Sequence, residues 1–583
     1  AGNVLKNGAG TFLLRNYSYG GFTTGGVLVQ TPSVQVNVGT LKLGTATSIW
    51  DFADVSVASG AIWDLGGFSE TVGSIAGAGT IRNASTLTLS YNNPSLTTNF
   101  SGLLEGSMAL VKSGPTGILE LSSANTYTGL TTISQGIIRL KHADGLGATS
   151  LGTVVSDGSS LQLDGGITVA SEALTLNGTG GGLGALRNMT GSNTYAGAIT
   201  LGTPAVRINS DAGMLSISGA VSNPNGLTLG GVSNLDVSGV ISGASTLTKD
   251  GAGYLLLRGN NTYSGLTTVS AGKLFVESAN ALGSTAAGTS VTAGASLQIR
   301  GGVFMAAEPL TINGSMAAGD GALASTSGIN TWTGPVTLGS SAIVSADADE
   351  LRISGSITTA GFLFKSGKAA ALGNVKVSGI ISGAGMVEKI GDGTLTLSGN
   401  NTYTGYTKVT GGALSLGASE VIPNANAFYF NGGTLRTEGF TETTGVVHIT
   451  DNSQLQFAPG VHRVTFASPG TFTAGKLLNV FGWEGDFAIP SSGQRPNVED
   501  SGMIQTSSSR YVTINGVLRS AGGINQYGQI NFTGFPGTAG KLFINTRLSL
   551  PLLEQIKIIN DADSSVHYSV QLGSNEIVPD YTR

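Results

Sequence analysis

The hydrophobic residues of this chain come in short bursts at alternate positions, and glycine, asparagine or serine separates one burst from the next. Residues 54–81 show the pattern, with the bursts Val55-Ser-Val57, Ala61-Ile-Trp-Asp-Leu65 and Val72-Gly-Ser-Ile75. Alternation with a period of two is typical of half-buried strands, and the intervening glycines are typical of turns. No apolar period of 3.6 residues occurs in this region. The pattern therefore predicts an all-β fold.

A longer period is superimposed on these bursts. The pentapeptide Asn-Thr-Tyr-[Ser/Thr]-Gly begins at Asn125, Asn261 and Asn401, and fainter copies begin at Asn193 and Asn330. We call these five segments the cassettes, and they recur about every 70 residues. Strong and faint cassettes alternate, so the larger unit, or superunit, spans about 136–140 residues. Such regularity is typical of a repeat architecture with one continuous core.

A period of about 70 residues divides into three segments of roughly 22–23 residues, which is a suitable length for one coil of three short strands. The chain is therefore expected to form a right-handed parallel β-helix, or solenoid, of about 20 coils. At a strand spacing of ~4.8 Å, such a stack forms a rod on the order of 100 Å long. A tandem array of β-sandwiches is the main alternative. The solenoid is preferred because 4 Trp, 20 Phe and 14 Tyr in 583 residues supply few separate aromatic cores.

The changing pattern divides the chain into four segments. Residues 1–105 are expected to form N-terminal coils with a degenerate repeat, and residues 106–410 the regular array. Residues 411–471 read as further coils, and residues 472–583 as a distinct, mostly β cap or assembly domain, since an open solenoid end exposes unpaired strand edges. Leu548–Asn560 is the one segment that favours a short helix, with Pro551 in its first turn.

Composition narrows the class of protein further. The chain has 91 glycines, only 11% charged residues, a net charge of −5 and no cysteine. The charge balance disfavours nucleic acid as a partner, and the absence of cysteine excludes disulfides and thiolate metal sites. No apolar run approaches the ~18 residues of a transmembrane helix. The N-terminal residues show no signal-peptide pattern, and a mature N-terminus left by cleavage is one interpretation of this.

Residues that could hold a metal ion are scattered. The four histidines, His142, His448, His462 and His567, lack the spacing of a zinc site. Asp347-Ala-Asp349-Glu350 and Asp561-Ala-Asp563 are weak candidates for calcium binding. We therefore predict no metal site and no cofactor.

Candidates for catalysis are equally sparse. Gly251-Ala-Gly253 and Gly391-Asp-Gly393 lack the lysine and helix of a phosphate-binding loop, so β-turns are expected there. The pairs Glu484/Asp486 and Glu499/Asp500 could serve glycoside hydrolysis only if they faced each other across a cleft. We find no charged position that recurs along the array and could form a catalytic groove. The chain is therefore predicted not to be an enzyme.

The cassette aromatics are the remaining candidates. At one ring per three coils they are expected to form a ladder along one edge, where they could stack on sugars or on a neighbouring filament. The structural interpretation, in which each ring covers a coil corner while the asparagine caps the turn, is favoured over that role. The residues concerned are Tyr127, Tyr195, Tyr263, Trp332 and Tyr403.

The repeated string Gly-x-Gly-x-Leu-x-Leu-x-Gly-x-Asn-Thr-Tyr-[Ser/Thr]-Gly-x-Thr-x-[Val/Ile] resembles the autotransporter-associated β-strand repeat, also called the passenger-associated transport repeat. Bacterial autotransporter passengers and large secreted surface proteins carry it. Residues 55–81 and the run from Phe472 to Trp483 resemble members of the same family. Glu576-Ile-Val-Pro579 resembles the approach to a PEP-CTERM sorting tail, although no such tail follows. The resemblance implies a β-helix and export, and it implies little about activity.

The expected function is therefore that of a non-enzymatic extracellular structural protein of a bacterium. It would act as a cell-surface stalk, a matrix component or a self-assembling filament subunit, associating head-to-tail or laterally. Two alternatives remain open: an adhesin that binds host or polysaccharide surfaces, and a secreted carbohydrate-active enzyme. The expected location is extracellular, either secreted or on the cell surface.

Overall fold

A computed structural model describes residues 4–15, 23–24, 27–28, 33–90, 97–317, 319–361, 363–458, 463–473 and 476–481, together with strands between residues 510 and 580. The described regular structure consists of β-strands, so the all-β prediction is confirmed. The strands form a parallel solenoid of about 20 coils, as expected. Within these residues we find no helix with the length and apolarity needed to cross a bilayer.

The chain contains two compact units, Ala1–Thr289 and Ser290–Arg583. Their boundary falls inside the segment that we expected to be one regular array, and the four-segment division of the sequence stays a prediction.

In the first unit the strands stack in rows, one strand per coil. The first row comprises Val4–Lys6, Ser33–Val36, Asp54–Val57, Ser74–Gly77, Thr97–Phe100, Ile118–Leu121, Ile137–Leu140, Ser160–Asp164, Leu186–Thr190, Val206–Ser210, Leu227–Gly230, Leu247–Lys249 and Thr267–Val269. The second row comprises Thr11–Leu14, Thr40–Leu43, Ile62–Asp64, Thr80–Arg82 and Leu103–Glu105. The third row comprises Glu70–Val72, Thr86–Leu89, Ala109–Lys112, Thr131–Ile133, Thr153–Val155, Leu174–Leu176, Ile199–Leu201, Val221–Ser222 and Ile241–Ser242. A further row comprises Thr168–Val169, Ser192–Tyr195, Met214–Ile217, Asn234–Val237, Leu255–Leu257 and Gly272–Val276, and a small hairpin pairs Thr23–Thr24 with Val27–Leu28.

The second unit is built in the same way, and the strand Thr289–Val291 lies at its start. One row comprises Leu310–Gly314, the first part of Val336–Ala346, Ile357–Thr358 and Ile381–Ser382. The next comprises Ala295–Arg300, Leu323–Ser327, the later part of Val336–Ala346, Leu363–Ser366, Met386–Lys389, Thr407–Val409, Phe428–Asn431, Glu442–Asp451 and Arg463–Phe472. The third comprises Phe304–Met305, Ile329–Trp332, Glu350–Ile353, Asn374–Val377, Thr394–Leu397, Ala413–Leu416, Thr434–Arg436, Ser453–Gln456, Leu477–Phe481, Gln529–Thr533 and Ile556–Ile559.

The last strands depart from the parallel pattern. Arg510–Ile514, Arg519–Ser520 and Gly540–Ile544 are further strands, and the first two of these pair in parallel with Arg463–Phe472. Val566–Leu572 and Glu576–Asp580 instead form an antiparallel pair. The helix predicted over Leu548–Asn560 is wrong where the structure describes it, because Ile556–Ile559 is a strand. The alternation Ile-Lys-Ile-Ile suits a pleated strand at least as well as one helical turn.

Strand alternation builds the core. In Thr86–Leu89 the two leucines point inward and are at most 2% exposed, while the two threonines are half-buried on the outer face. The coil below repeats this with Leu110 directly beneath Leu87. The register gives the coil length: Leu247 pairs with Thr267 and Leu161 with Leu186, so one coil takes about 20–25 residues. Each inward side chain therefore lies on its counterpart one coil away, and within each unit the stacked side chains form a continuous apolar core.

A column of glycines marks one corner of the coils. A Cβ added at Gly239 would lie 1.9 Å from the carbonyl oxygen of Gly219, and one at Gly219 would lie 1.9 Å from that of Gly197. The second unit repeats the column, since a Cβ at Gly379 would lie 1.9 Å from the carbonyl oxygen of Gly355. A distance this short admits no side chain, so glycine is required at this corner for the coils to stack at strand spacing.

The duplicated superunit advances by one row. Lys112 and Lys249 are equivalent in the repeat, one superunit apart. Their strands nevertheless stand in different sheets, because Ala109–Lys112 belongs to the third row and Leu247–Lys249 to the first. One superunit is therefore not a whole number of coils, and equivalent residues are presented in different directions.

Candidate functional site

Each strong cassette places its asparagine side chain between two neighbouring coils. Asn261 Oδ1 accepts a hydrogen bond from the backbone N–H of Ile241 at 2.8 Å, and its Nδ2 donates to the carbonyl of Ala281 at 2.6 Å. These partners lie 20 residues before and after the asparagine, one coil away on each side. Asn125 and Asn401 make the same pair of bonds at 2.7–2.9 Å. The amide therefore joins three successive coils through backbone groups that would otherwise be unpaired inside the protein.

The aromatic ring of every cassette lies inside the solenoid, so the expected surface ladder is wrong. The rings are 0% exposed: Tyr127, Tyr195, Tyr263, Trp332 and Tyr403. In the strong cassettes the tyrosine hydroxyl shares a hydrogen bond of 2.6 Å with the threonine four residues later. The reason lies in the alternation Asn-Thr-Tyr: once the asparagine turns inward to the backbone, the tyrosine two residues on turns inward as well.

The cassettes also do not follow one edge. The N–H of Tyr127 donates to the carbonyl of Leu104, which belongs to the second row. The N–H of Tyr263 donates to the carbonyl of Ile241, which belongs to the third row. The one-row advance of the superunit accounts for this difference. The structural alternative, in which the cassette caps a corner, agrees with the burial and the hydrogen bonds of these residues.

The faint cassettes keep the acceptor bond to the preceding coil, and Nδ2 of Asn193 donates instead to the carbonyl of Thr190 in its own coil at 2.8 Å. Asn193 lies in the strand Ser192–Tyr195, and its Oδ1 accepts from the N–H of Ile167 at 2.7 Å. Asn330 lies in the strand Ile329–Trp332, and its Oδ1 accepts from the N–H of Val303 at 2.7 Å. The strong cassettes lie outside the described strands. The asparagine thus accepts a backbone hydrogen bond outside the strands in the strong copies and within a strand in the faint ones.

Three buried lysines form a second recurring set of interactions, which was not predicted from the sequence. Lys112, Lys249 and Lys389 are at most 4% exposed. Lys249 Nζ donates to the carbonyls of Asp250, Gly251 and Ala271 at 2.7, 3.0 and 3.0 Å. None of the three lysines forms an ion pair within the part of the chain that the structure describes. The ammonium thus holds the carbonyls of its own Gly-x-Gly turn and of the next coil.

The burial of these ammonium groups changes their titration. Loss of solvation lowers the pKa of Lys112, Lys249 and Lys389 to about 8.

The two Gly-x-Gly segments are turns, as expected, and the lysine that precedes each turn binds its backbone carbonyls. The available signal was the recurrence of lysine at positions 112, 249 and 389, which matches the period of the superunit. The view that no charged position recurs along the array was wrong.

Two buried glutamates form a third set of interactions with the backbone. Glu70 accepts hydrogen bonds from the N–H groups of Ser48 and Ile49, and Glu442 does so from Val421 and Ile422, at 2.9–3.2 Å. Burial raises the pKa of Glu70 to about 7 and that of Glu442 to about 8, although the N–H bonds favour the charged form. The shared segment [Ser/Thr]-Glu-Thr, at Ser69 and Thr441, could have revealed the pair.

The acidic candidates for calcium do not converge. Asp347 pairs with the ammonium of Lys368 at 3.1 Å, and Asp320 contacts that same ammonium. Asp349 accepts from the N–H of Gly328, and Glu350 pairs with Arg352 and Lys376. Asp561 and Asp563 lie outside the described residues. In the described ranges no group of three metal-ligating side chains comes together.

Among the described residues, the histidine candidates do not come together with groups that would make them catalytic. His142 lies 3.9 Å from Asp144 at the surface, and His448 stacks on Tyr429. His462 and the pairs Glu484/Asp486 and Glu499/Asp500 lie outside the described residues, as does the side chain of His567. The prediction that the chain has no catalytic site stays a prediction.

Three segments of the chain match the family described as the passenger-associated-transport-repeat: residues 110–140, 247–274 and 387–416. These segments contain the buried lysines and the strong cassettes. The resemblance noted from the repeated string is thereby confirmed.

The chain is also similar to the adhesin BmaC autotransporter of Brucella suis biovar 1. The two are 27% identical over 456 residues, which is 74% of this chain and 12% of the relative. The chain thus spans about an eighth of the length of that protein. No solved structure gives a significant match.

Proposed function

We propose that this chain is a non-enzymatic solenoid segment of an extracellular bacterial surface protein, serving as a stalk or matrix scaffold. The supporting observation is the use to which the repeat puts its polar side chains. The asparagine, tyrosine and lysine of each strong repeat face inward and bind backbone or threonine groups of the protein itself. Because these side chains are bonded inside the protein, they support the stacking of the coils and cannot contact a substrate.

The similarity to an autotransporter adhesin and the three passenger-associated transport repeats support a secreted or cell-surface location. Self-association, head-to-tail or lateral, remains a proposal. Because the chain matches only part of its relative, any activity carried elsewhere in such a protein is not assigned to this segment.

The location is tested by labelling bacteria that express the chain with antibodies raised against the purified protein. We expect label on intact cells or in the surrounding matrix, and loss of that label after protease treatment of intact cells. Label seen only after lysis would rule out the surface role. A cytoplasmic protein of the same strain is the control for cell integrity.

The non-enzymatic assignment is tested separately. The purified chain is incubated with a panel of polysaccharides, and reducing ends and unsaturated products are measured over time. We expect release no greater than that of heat-inactivated protein. Release that depends on native protein would replace the scaffold with the carbohydrate-active alternative.

Adhesion is the second candidate, and the relative named as an adhesin favours it. Beads coated with the chain would then attach to host cells or polysaccharide films more than beads coated with an unrelated β-solenoid. Equal attachment by both kinds of bead would remove this candidate and leave the scaffold role in place.

A further inference from the structure

One outward row of the second unit combines a carboxylate, an ammonium group and two rings. Glu388, Lys408, Tyr429 and His448 are direct neighbours on four successive strands. We call them the Glu388–His448 row. The residues on either side of each one in its strand point into the core, whereas Lys408, Tyr429 and His448 are half-buried on the outer face. The row is thus a line of side chains spaced one coil, or ~4.8 Å, apart.

The duplication provides an internal control for this row. The buried lysines Lys112 and Lys389 are equivalent and fix the alignment of the two copies. In the first unit the equivalent outward positions are again direct neighbours on four successive strands. They are occupied by Val111, Thr132, Val154 and Thr175. Small β-branched residues therefore suffice for the scaffold, and the fold does not require a carboxylate, an ammonium and two rings at these positions.

The charged end of the row is ordered by ion pairs. Glu388 lies 3.3 Å from the ammonium of Lys408 and 3.6 Å from that of Lys365 on the preceding strand. Thr410 Oγ1 also donates to Glu388 at 2.8 Å. The two lysine side chains are 29% and 36% exposed, so their ammonium groups are held in place and still face solvent. With two lysines and one glutamate, this end carries one net positive charge.

The aromatic end is a cluster of three rings. Tyr429 and His448 are stacked with centroids 4.2 Å apart and planes inclined by 3°, and Tyr406 meets Tyr429 at 5.2 Å and 68°. His448 Nδ1 accepts a hydrogen bond from the N–H of Thr471 at 3.0 Å. The neutral imidazole must therefore carry its proton on Nε2, which is left as a donor. Burial lowers the pKa of His448 and favours this neutral form. The ring positions are fixed before any ligand arrives.

We propose that the Glu388–His448 row, with Lys365 and Tyr406, binds a linear polysaccharide that carries carboxylate groups. A pyranose chain presents apolar C–H surfaces and hydroxyl groups in turn, and this surface offers rings beside phenol, imidazole and ammonium donors. The coil spacing of ~4.8 Å is close to the length of one pyranose residue in an extended chain. The net positive charge favours an acidic polysaccharide over a neutral one.

The proposal rests on the adhesive candidate for the function of the chain. The test is affinity electrophoresis of the full chain in native gels that contain polygalacturonate, alginate or hydroxyethylcellulose. We expect the two acidic polysaccharides to retard the protein and the neutral one to leave its mobility unchanged. The double variant Tyr429→Val, His448→Thr installs the residues of the first unit, and we expect it to weaken binding about tenfold or more.

The matched control is Thr132→Val in the first unit, which we expect to bind as the parent does. Thermal unfolding of each variant, followed by circular dichroism, verifies that the solenoid is intact. Mobility unaffected by every polysaccharide overturns the proposal, as does retardation that the double variant retains or that hydroxyethylcellulose produces equally. Each of these results leaves the scaffold role standing, since surface labelling decides that role independently.

Discussion

The asparagine bridge allows a quantitative prediction from one substitution. Asn261→Ala removes the acceptor of the Ile241 N–H and the donor to the Ala281 carbonyl, at 2.8 and 2.6 Å. Ile241 and Ala281 are both 0% exposed, so their two backbone groups become unpaired away from water. An unsatisfied buried group costs roughly 1–3 kcal/mol, which gives a loss of about 2–6 kcal/mol in the free energy of unfolding around these coils.

Asn260→Ala is the matched control, because Asn260 precedes the bridge in sequence and is exposed. Its substitution should change stability by no more than about 0.5 kcal/mol. Solenoid coils open locally, so the measurement is hydrogen exchange with mass spectrometry on peptides covering residues 241–281, together with urea unfolding of the full chain. Protection should fall for Asn261→Ala at these coils and remain unchanged for Asn260→Ala. Equal protection in the two variants would refute the view that the amide links three coils.

Three further substitutions test the other interior devices. Tyr263→Phe removes one hydrogen bond to Thr267 and keeps the ring in place, so it should cost about 1 kcal/mol in a urea titration, and a loss above roughly 3 kcal/mol would contradict this. The pKa of Lys249 is lowered to about 8 in the folded state, so the unfolded chain binds more protons between pH 8 and 10.5, and the free energy of unfolding should rise with pH in that window. The variant Lys249→Met should remove about 3 kcal/mol of this rise. An unchanged pH profile in the variant would contradict this prediction. The raised pKa of Glu442, about 8, has the opposite effect, because the folded state binds the proton of this carboxyl more tightly than the unfolded state does. Stability should therefore fall as the pH rises from 4.5 to 8. The variant Glu442→Gln should show a smaller fall in thermal melts measured across this range.

Much of the fold could be predicted from sequence because every repeat follows the same local rules. The bursts Val55-Ser-Val57 and Ala61-Ile-Trp-Asp-Leu65 indicated the strands found at Asp54–Val57 and Ile62–Asp64, and the cassette spacing indicated the solenoid. The rows of strands could not be predicted, because the sequence spacing does not show that equivalent residues of successive superunits belong to different rows. That shift depends on individual coil lengths, and the pairs Leu161 with Leu186 and Leu247 with Thr267 show that these lengths differ.

The candidate site was predicted less well, and the cause is the direction of the side chains. A surface ladder was considered for the aromatic rings because tyrosine is amphipathic, yet the hydroxyl of Tyr263 binds Thr267 inside the protein. Lys249 was overlooked for the same reason, since a lysine in a strand is usually solvated. The alternation rule would have placed Asn261 and Tyr263 on one side together. It could not have shown that this side was the interior.

The direction of the side chains also indicates where function can be sought in such a chain. Inward positions of the strong repeats keep the same residues, as in Lys112 and Lys389, because each ammonium group is held by a backbone carbonyl of its own turn. Outward positions carry no such constraint and change from Val154 to Tyr429 between equivalent copies. Repetition therefore identifies the residues that build the solenoid. The outward positions at which two copies differ are the ones free to acquire a ligand, and four of them lie together in the Glu388–His448 row.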